Sequence, residues 1–164
     1  MMLPSHLLAT LIVCALLALV RPMPRREWLL ALAFGVVIDL DHLLQMPAYV
    51  ATHGLAEMTP AAISAWGAAW QGFMHTPWAL ALVLPAVFVF RSPVPLVFWA
   101  LHMVQDFVVA RHLVVFGSPL EWAIDLALLG VLSALAWHDH TRHGRGASLR
   151  AHVLARVAMA LPRR

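Results

Sequence analysis

The stretch WLLALAFGVVIDLDHLL, residues 28–44, decides what kind of chain this is. Eleven uncharged residues, Trp28 to Ile38, run without interruption into Asp39-Leu40-Asp41-His42. At 1.5 Å per residue a helix from Trp28 to about Leu44 covers roughly 25 Å, close to the roughly 30 Å hydrocarbon layer of a bilayer. The spacing therefore predicts a membrane helix whose ionisable end lies near one face.

Outward from it, the pattern repeats. Residues 1–20 (MMLPSHLLATLIVCALLALV) carry no charged side chain. Their arginines follow the run instead of preceding it, so a retained helix is expected and not a cleaved signal. Further spans are predicted from about Phe73 to Phe90, Val94 to about Val109, and Leu120 to Trp137, set apart by Arg91-Ser92-Pro93 and Phe116-Gly117-Ser118-Pro119. Pro85 should kink the third. The fold class is thus all-α, a polytopic transmembrane bundle of about five spans over residues 1–137. A basic cytoplasmic tail, 138–164, follows. In that tail Leu149, Val153, Val157 and Leu161 recur every four residues, the pattern of a short helix lying on anionic lipid.

Composition agrees. Of 164 residues, 62% are hydrophobic and 12% charged, against about 45–50% and 25% in soluble domains. Eight acids and eleven arginines cannot cover a soluble core of this size, and a disordered chain is excluded more firmly still. The net charge of only +3 gives no reason to expect nucleic acid as a partner. Cys14 is the single cysteine, so no internal disulfide forms.

Arginine placement orients the spans, because cytoplasmic loops accumulate basic residues. Arg21, Arg25 and Arg26 follow the first span, Arg91 follows the third, and Arg142, Arg145, Arg150, Arg156, Arg163 and Arg164 lie in the tail. Arg111 alone falls on the other side. The chain is expected in a cell membrane with its N-terminus outside and its C-terminus cytoplasmic. Trp28 and Trp137 then fall at inner boundaries, and Trp78 and Trp122 at outer ones, where aromatic belts form. Trp66, Trp70 and Phe73 recur at helical spacing, as in a helix on the outer leaflet.

That orientation brings the intramembrane ionisable groups to one level. His6, Asp39, Asp41, His42, His75, His102, Asp106, Glu121 and Asp125 all fall near the outer ends of their spans. A charge at the bilayer centre costs roughly 2.5–3.5 kcal/mol on the mildest scale, so such residues need a partner or a purpose. His102 and Asp106, four apart, share a helix face, as do Asp39 and His42, whereas Asp41 points about 160° from Asp39 at 100° per residue. Neutral imidazole with carboxylate is a ligand set for zinc, manganese or iron. An open position on such an ion makes hydroxide near neutrality, which hydrolysis requires. The expected metal ligands are His6, Asp39, His42, His75, His102 and Asp106, with Asp41 as a bridging ligand or general base. Membrane lipid is the expected partner and a lipid or lipid-linked phosphoester the expected substrate. His53 and His112 stand isolated, and His138-Asp139-His140-Thr141-Arg142-His143 reads as solvated basic tail.

The rival reading is a non-enzymatic membrane protein, an ion or metal conduit or an assembly factor, using the same network. A conduit needs polar groups through both halves of the membrane, and the inner halves of these spans are almost purely apolar.

Asp39-Leu40-Asp41-His42, Gly72-Phe73-Met74-His75-Thr76 and the His102 to Asp106 helix resemble the YdjM-like family of membrane-bound, metal-dependent hydrolases. The resemblance runs from His6 to about Asp125 and rests on short blocks: an N-terminal histidine, a D-x-D-H helix end, an H-R-G-x-T-H-S block and an H-x-x-x-D helix. The last is also similar to an element of zinc-dependent phospholipase C. This chain departs from the third block, with Trp70 and Gln71 where the family has His and Arg. The resemblance implies a metal-dependent hydrolase and no particular substrate.

Reporter fusions at Gly54 and Gly144 are expected on opposite sides of the membrane, with Gly54 outside. Finding both on one side would remove the five-span arrangement.

Overall fold

A computed structural model describes residues 3–57, 59, 72–110 and 118–143. The expected tail helix, Trp66, Trp70, Gln71, Arg111 and His112 lie outside the described residues. All regular structure among the described residues is helical: α1 (Leu3–Val20), α2 (Arg25–Gly35), α3 (Leu40–His53), α4 (Leu80–Phe90), α5 (Val94–Ala110) and α6 (Pro119–His143), with short 3₁₀ turns between them. The run Arg25–His53 and the helix Pro119–Arg142 are long and apolar enough to cross a membrane. Pro4–Val20, Pro77–Phe90 and Val94–Val108 are shorter apolar helices.

The second predicted span is longer and more irregular than its sequence suggests. It starts at Arg25, leaves α-geometry after Gly35, tightens into a 3₁₀ turn at Val37–Asp39 and resumes as α3 to His53, beyond the expected end at Leu44. The third begins with two 3₁₀ turns, Phe73–His75 and Pro77–Ala79, and becomes α-helical only at Leu80. Thr76 and Pro77 explain the delay. Thr76 is extended (φ −115°, ψ 158°), the conformation favoured before a proline. Residues His138 to His143, expected to open the tail, are the last turns of α6.

Local chemistry accounts for the ends. At the α4–α5 hairpin Arg91 takes the left-handed conformation (φ 47°), and the N–H of Ser92 donates to the Val87 carbonyl at 3.1 Å. A left-handed residue closing the last turn and a proline just beyond it are common helix stops. Ser118 opens α6, its hydroxyl accepting the Glu121 N–H at 3.2 Å, with Pro119 in the first helical position.

In packing, α1 lies against α6 and α2, α2 against α5, and α4 against α5. Cys14, Leu30, Ala31, Val94 and Phe98 form the buried apolar core. Beside it α1 and α5 approach Gly35 so closely that a Cβ there would run into the Thr10 side chain and meet Phe98 at 3.4 Å. One end of the bundle is tied by Glu27, which accepts from Ser92 Oγ at 2.9 Å and pairs with Arg21 at 2.7 Å. At the other end Ser5 Oγ donates to Asp125 at 2.5 Å, joining α1 to α6. Outward faces are apolar: Phe88, Val89, Leu126, Leu129 and Val131 are all exposed.

Gly35→Ala should therefore lower stability by about 1–3 kcal/mol, the usual cost of overpacking. Gly130→Ala, whose added Cβ meets nothing within 4 Å, should be neutral or stabilising by at most about 1 kcal/mol. Thermal unfolding in detergent, followed by tryptophan fluorescence, separates the two, and equal midpoints would refute the close approach at Gly35.

Candidate metal centre

The break after Gly35 builds the first part of the site. In an unbroken α-helix the Gly35 carbonyl would accept from the Asp39 N–H. Here that N–H bonds to the Val36 carbonyl at 3.1 Å. The Gly35 carbonyl instead faces Nδ1 of His102 at 3.1 Å. A carbonyl only accepts, so Nδ1 of His102 carries a proton, and Nε2 is the nitrogen turned to the carboxylates.

His6 is fixed in the same way. Its Nδ1 lies 3.1 Å from Oε1 of Gln105, whose amide N–H₂ donates to the Ser5 carbonyl at 3.3 Å. The second bond settles the orientation of the amide, so Oε1 accepts and Nδ1 of His6 is the protonated nitrogen. His75 arrives on the segment 72–76, which is pinned from two sides. The Trp99 indole donates to the Met74 carbonyl at 2.8 Å, and the Met74 N–H donates to Oδ2 of Asp41 at 2.8 Å. The other oxygen of Asp41 lies 2.9 Å from Nδ1 of His75. Gly72 permits this contact, since a Cβ there would overlap the Asp41 carboxyl.

Three imidazoles thus point Nε2 inward, onto two carboxylates. Nε2 of His102 lies 3.1 Å from both Asp39 and Asp106, and Nε2 of His75 lies 3.5 Å and 3.2 Å from them. His6 Nε2 is 3.2 Å from Asp106 and 3.9 Å from Asp39, and His42 Nε2 is 3.7 Å from Asp39. The two inward nitrogens of His75 and His102 are only 2.9 Å apart. Nε2 of His6 is buried and makes no hydrogen bond.

These distances fit a cation. Ligands held about 2.0–2.2 Å from one ion at tetrahedral or octahedral angles lie roughly 2.9–3.5 Å from one another, the range in which most of these donors are found. Imidazoles gathered this closely on two carboxylates need positive charge among them, which a bound cation or ring protons supply. Two groups of four donors meet the spacing a metal needs, His6, Asp39, His102 and Asp106, and Asp39, His42, His75 and Asp106. Their second partners, a carbonyl, an amide and a carboxylate, are those that commonly orient metal-bound histidine.

Of the seven residues expected as ligands, six converge and the seventh has a different position. The angular separation of Asp41 from Asp39 on a regular helix leads to the expectation of a bridging ligand or general base. Both oxygens of Asp41 are instead engaged, one at His75 and one at Met74. The chain folds back over α3, so the face turned away from Asp39 meets the 72–76 segment. Gln105, Trp99, Ser5, Gly35 and Gly72 were not singled out as positioning residues. For Gln105 a signal existed, an amide beside Asp106 in an apolar helix. Trp99 acts through its indole on a distant backbone carbonyl, and Ser5, Gly35 and Gly72 through backbone groups or close approach, which leave no pattern in a sequence. Glu121 and Asp125, at the same level, are buried, and Asp125 holds α1 through Ser5.

The chain matches no protein-family model, no curated protein and no solved structure.

His102→Ala and Asp106→Ala should abolish tight binding of Zn²⁺ to the purified protein, while His140→Ala should bind as the unaltered chain does. Asp41→Asn should weaken binding by about 10–100-fold, as losses of an orienting partner do. Equal loss from His140→Ala and His102→Ala, measured by metal analysis after dialysis, would relocate the site to the end of α6.

Proposed function

We propose that the protein is a membrane-embedded, metal-dependent hydrolase, a bundle of about five spans with its active centre near the outer ends of the helices, akin to the YdjM-like family. The observation that carries this reading is the set of three buried histidines, two with Nδ1 hydrogen-bonded and the third with Nδ1 2.9 Å from Asp41, whose Nε2 atoms meet at Asp39 and Asp106. A structural ion pair needs neither the repeated anchoring nor six donors.

The depth of the site supports a membrane setting. Asp39 lies fourteen residues beyond Arg25, and His6 fourteen before Val20. At 1.5 Å per residue both stand roughly 20 Å from the arginine-bearing ends, about two thirds of the way across the hydrocarbon layer. The exposed apolar faces of α4 and α6 suit contact with lipid. Below the site, Phe98, Leu30, Ala31, Val94 and Cys14 form a packed apolar floor, which favours a closed-bottomed centre over a conduit.

His6, Asp39, His42, His75, His102 and Asp106 would hold a divalent cation, zinc being well suited to this donor set. Such an ion, when bound, supplies a water of pKa near 7 and a Lewis acid for an ester oxygen. The chain's own residues do the rest. Gly35 and Gln105 would keep the ring protons of His102 and His6 on Nδ1 and leave Nε2 to the ion, and Asp41 stands 2.9 Å from Nδ1 of His75. The apolar floor keeps bulk water from the inner side. Asp39, Asp106 and His42 keep partly exposed edges, 19%, 19% and 25% of each side chain, so access lies on their side. Leu40 and Leu44 of α3 and Phe107 of α5, all exposed, stand near that edge in sequence and suit the chain of a lipid-like substrate.

Metal-loaded protein in mixed micelles should hydrolyse at least one of three lipid-analogue probes, a phosphomonoester, a phosphodiester or a carboxylic ester. His102→Ala should reduce that turnover by at least about 100-fold, beyond the effect of an orienting residue. If no probe is turned over faster by the unaltered protein than by His102→Ala, the hydrolase reading fails.

A further inference from the structure

We infer that the centre holds two divalent cations side by side, bridged by the carboxylates of Asp39 and Asp106, and that the pair is unequal, one ion enclosed and one open to exchange. The inference rests on the metal-dependent reading above and specifies the number of ions and the class of ligand they take.

The two donor groups that meet the spacing of a metal site have Asp39 and Asp106 in common and differ in their histidines, His6 with His102 in one and His42 with His75 in the other. The rings divide the same way. His6 stacks on His102 with centroids 4.1 Å apart and 17° between planes, and His42 lies over His75 at 4.1 Å and 33°. Across the division His75 meets His102 edge-on, at 5.0 Å and 63°. The ring pairs coincide with the two donor groups, so one ion is assigned to each pair.

Both carboxylates also turn one oxygen to His6 and the other to the remaining histidines. Oδ1 of Asp106 is 3.2 Å from His6, and Oδ2 is 3.2 Å from His75. Oδ2 of Asp39 is 3.9 Å from His6, whereas Oδ1 lies 3.5 Å from His75 and 3.7 Å from His42. A carboxylate that turns one oxygen to each side is the bridge expected between ions about 3.5–4 Å apart. Oδ1 of Asp39 and Oδ2 of Asp106 also approach His102, each at 3.1 Å, which puts His102 at the junction of the two halves.

Charge then identifies the ligand. Asp39, Asp106 and Asp41 bring three negative charges, and two dications bring four positive. The described arginines, Arg21, Arg25, Arg26, Arg91 and Arg142, lie on loops or helix ends away from the cluster in sequence. Within the cluster four positive charges against three leave a net positive charge, which suits an anionic phosphoester oxygen better than a neutral carboxylic ester.

Exposure sets the inequality. The side chains of His6 and His102 are 1% and 0% exposed, and that of His42 is 25% exposed. The ion held by His42 and His75 should leave first.

The test is titration of the metal-free, full-length protein in detergent with Mn²⁺, read by elemental analysis and electron paramagnetic resonance. The expected result is two equivalents per chain with an exchange-coupled spectrum, and two-phase removal by a chelator. His42→Ala, a change at a partly exposed side chain, should leave one equivalent, the hyperfine pattern of an isolated Mn²⁺ and only the slow phase. Inorganic phosphate should perturb the coupled spectrum and leave that of His42→Ala unchanged. Saturation of the unaltered protein at one equivalent with an uncoupled spectrum would overturn the paired centre and leave the metal-dependent reading intact. No bound equivalent would overturn both. Two coupled equivalents in His42→Ala would overturn the assignment of the open ion to His42.

Discussion

The partial burial of Asp39 and Asp106 among apolar helices is the constraint on which the rest depends. A carboxylate removed from water is tolerated only where opposite charge and hydrogen-bond donors replace its hydration. The chain answers with imidazoles from four separate segments: His6 on α1, His42 on α3, His75 on the turn before α4 and His102 on α5. Each histidine can turn a donor or a lone pair toward the acids. A cluster of that composition and spacing could hold a metal ion.

Departures from regular helix follow from the same constraint. The turn at Val37–Asp39 forfeits an α-helical hydrogen bond at Gly35, which inside a bilayer would be costly if nothing replaced it. His102 replaces it. The break therefore gains the orientation of one histidine and brings Asp39 to the cluster. At His75 the reasoning is similar, since a 3₁₀ turn displays its side chain and Trp99 and Asp41 satisfy the backbone that the turn leaves open. Asp41 serves the centre at one remove, through the imidazole that it holds.

The two ends of the bundle are secured differently. Glu27, Arg21 and Ser92 join the ends of α1, α2 and the α4–α5 hairpin with charge on one side, while Ser5 and Asp125 join α1 to α6 close to the cluster. Between them Phe98 and Val94 pack on Leu30 and Cys14. This apolar layer stands one helical turn below His102 and keeps water from the inner face of the site.

Much of this was legible in the chain itself. Apolar runs bounded by turn residues point to an all-helical molecule, and the regular structure of the described residues is helical. Position along those runs also determines which ionisable residues stand at one level, so His6, Asp39, His42, His75, His102 and Asp106 could be gathered before any packing was known. What needed the tertiary structure was direction. Helical periodicity places Asp41 away from Asp39 and says nothing of what it meets there, and only the return of residues 72–76 over α3 gives it His75. The ring nitrogen that each histidine turns inward, and the side of the cluster that each carboxylate oxygen faces, are set by Gly35, Gln105 and Asp41 across the packed helices. Those contacts are made between segments far apart in the chain, and local spacing carries no information about them.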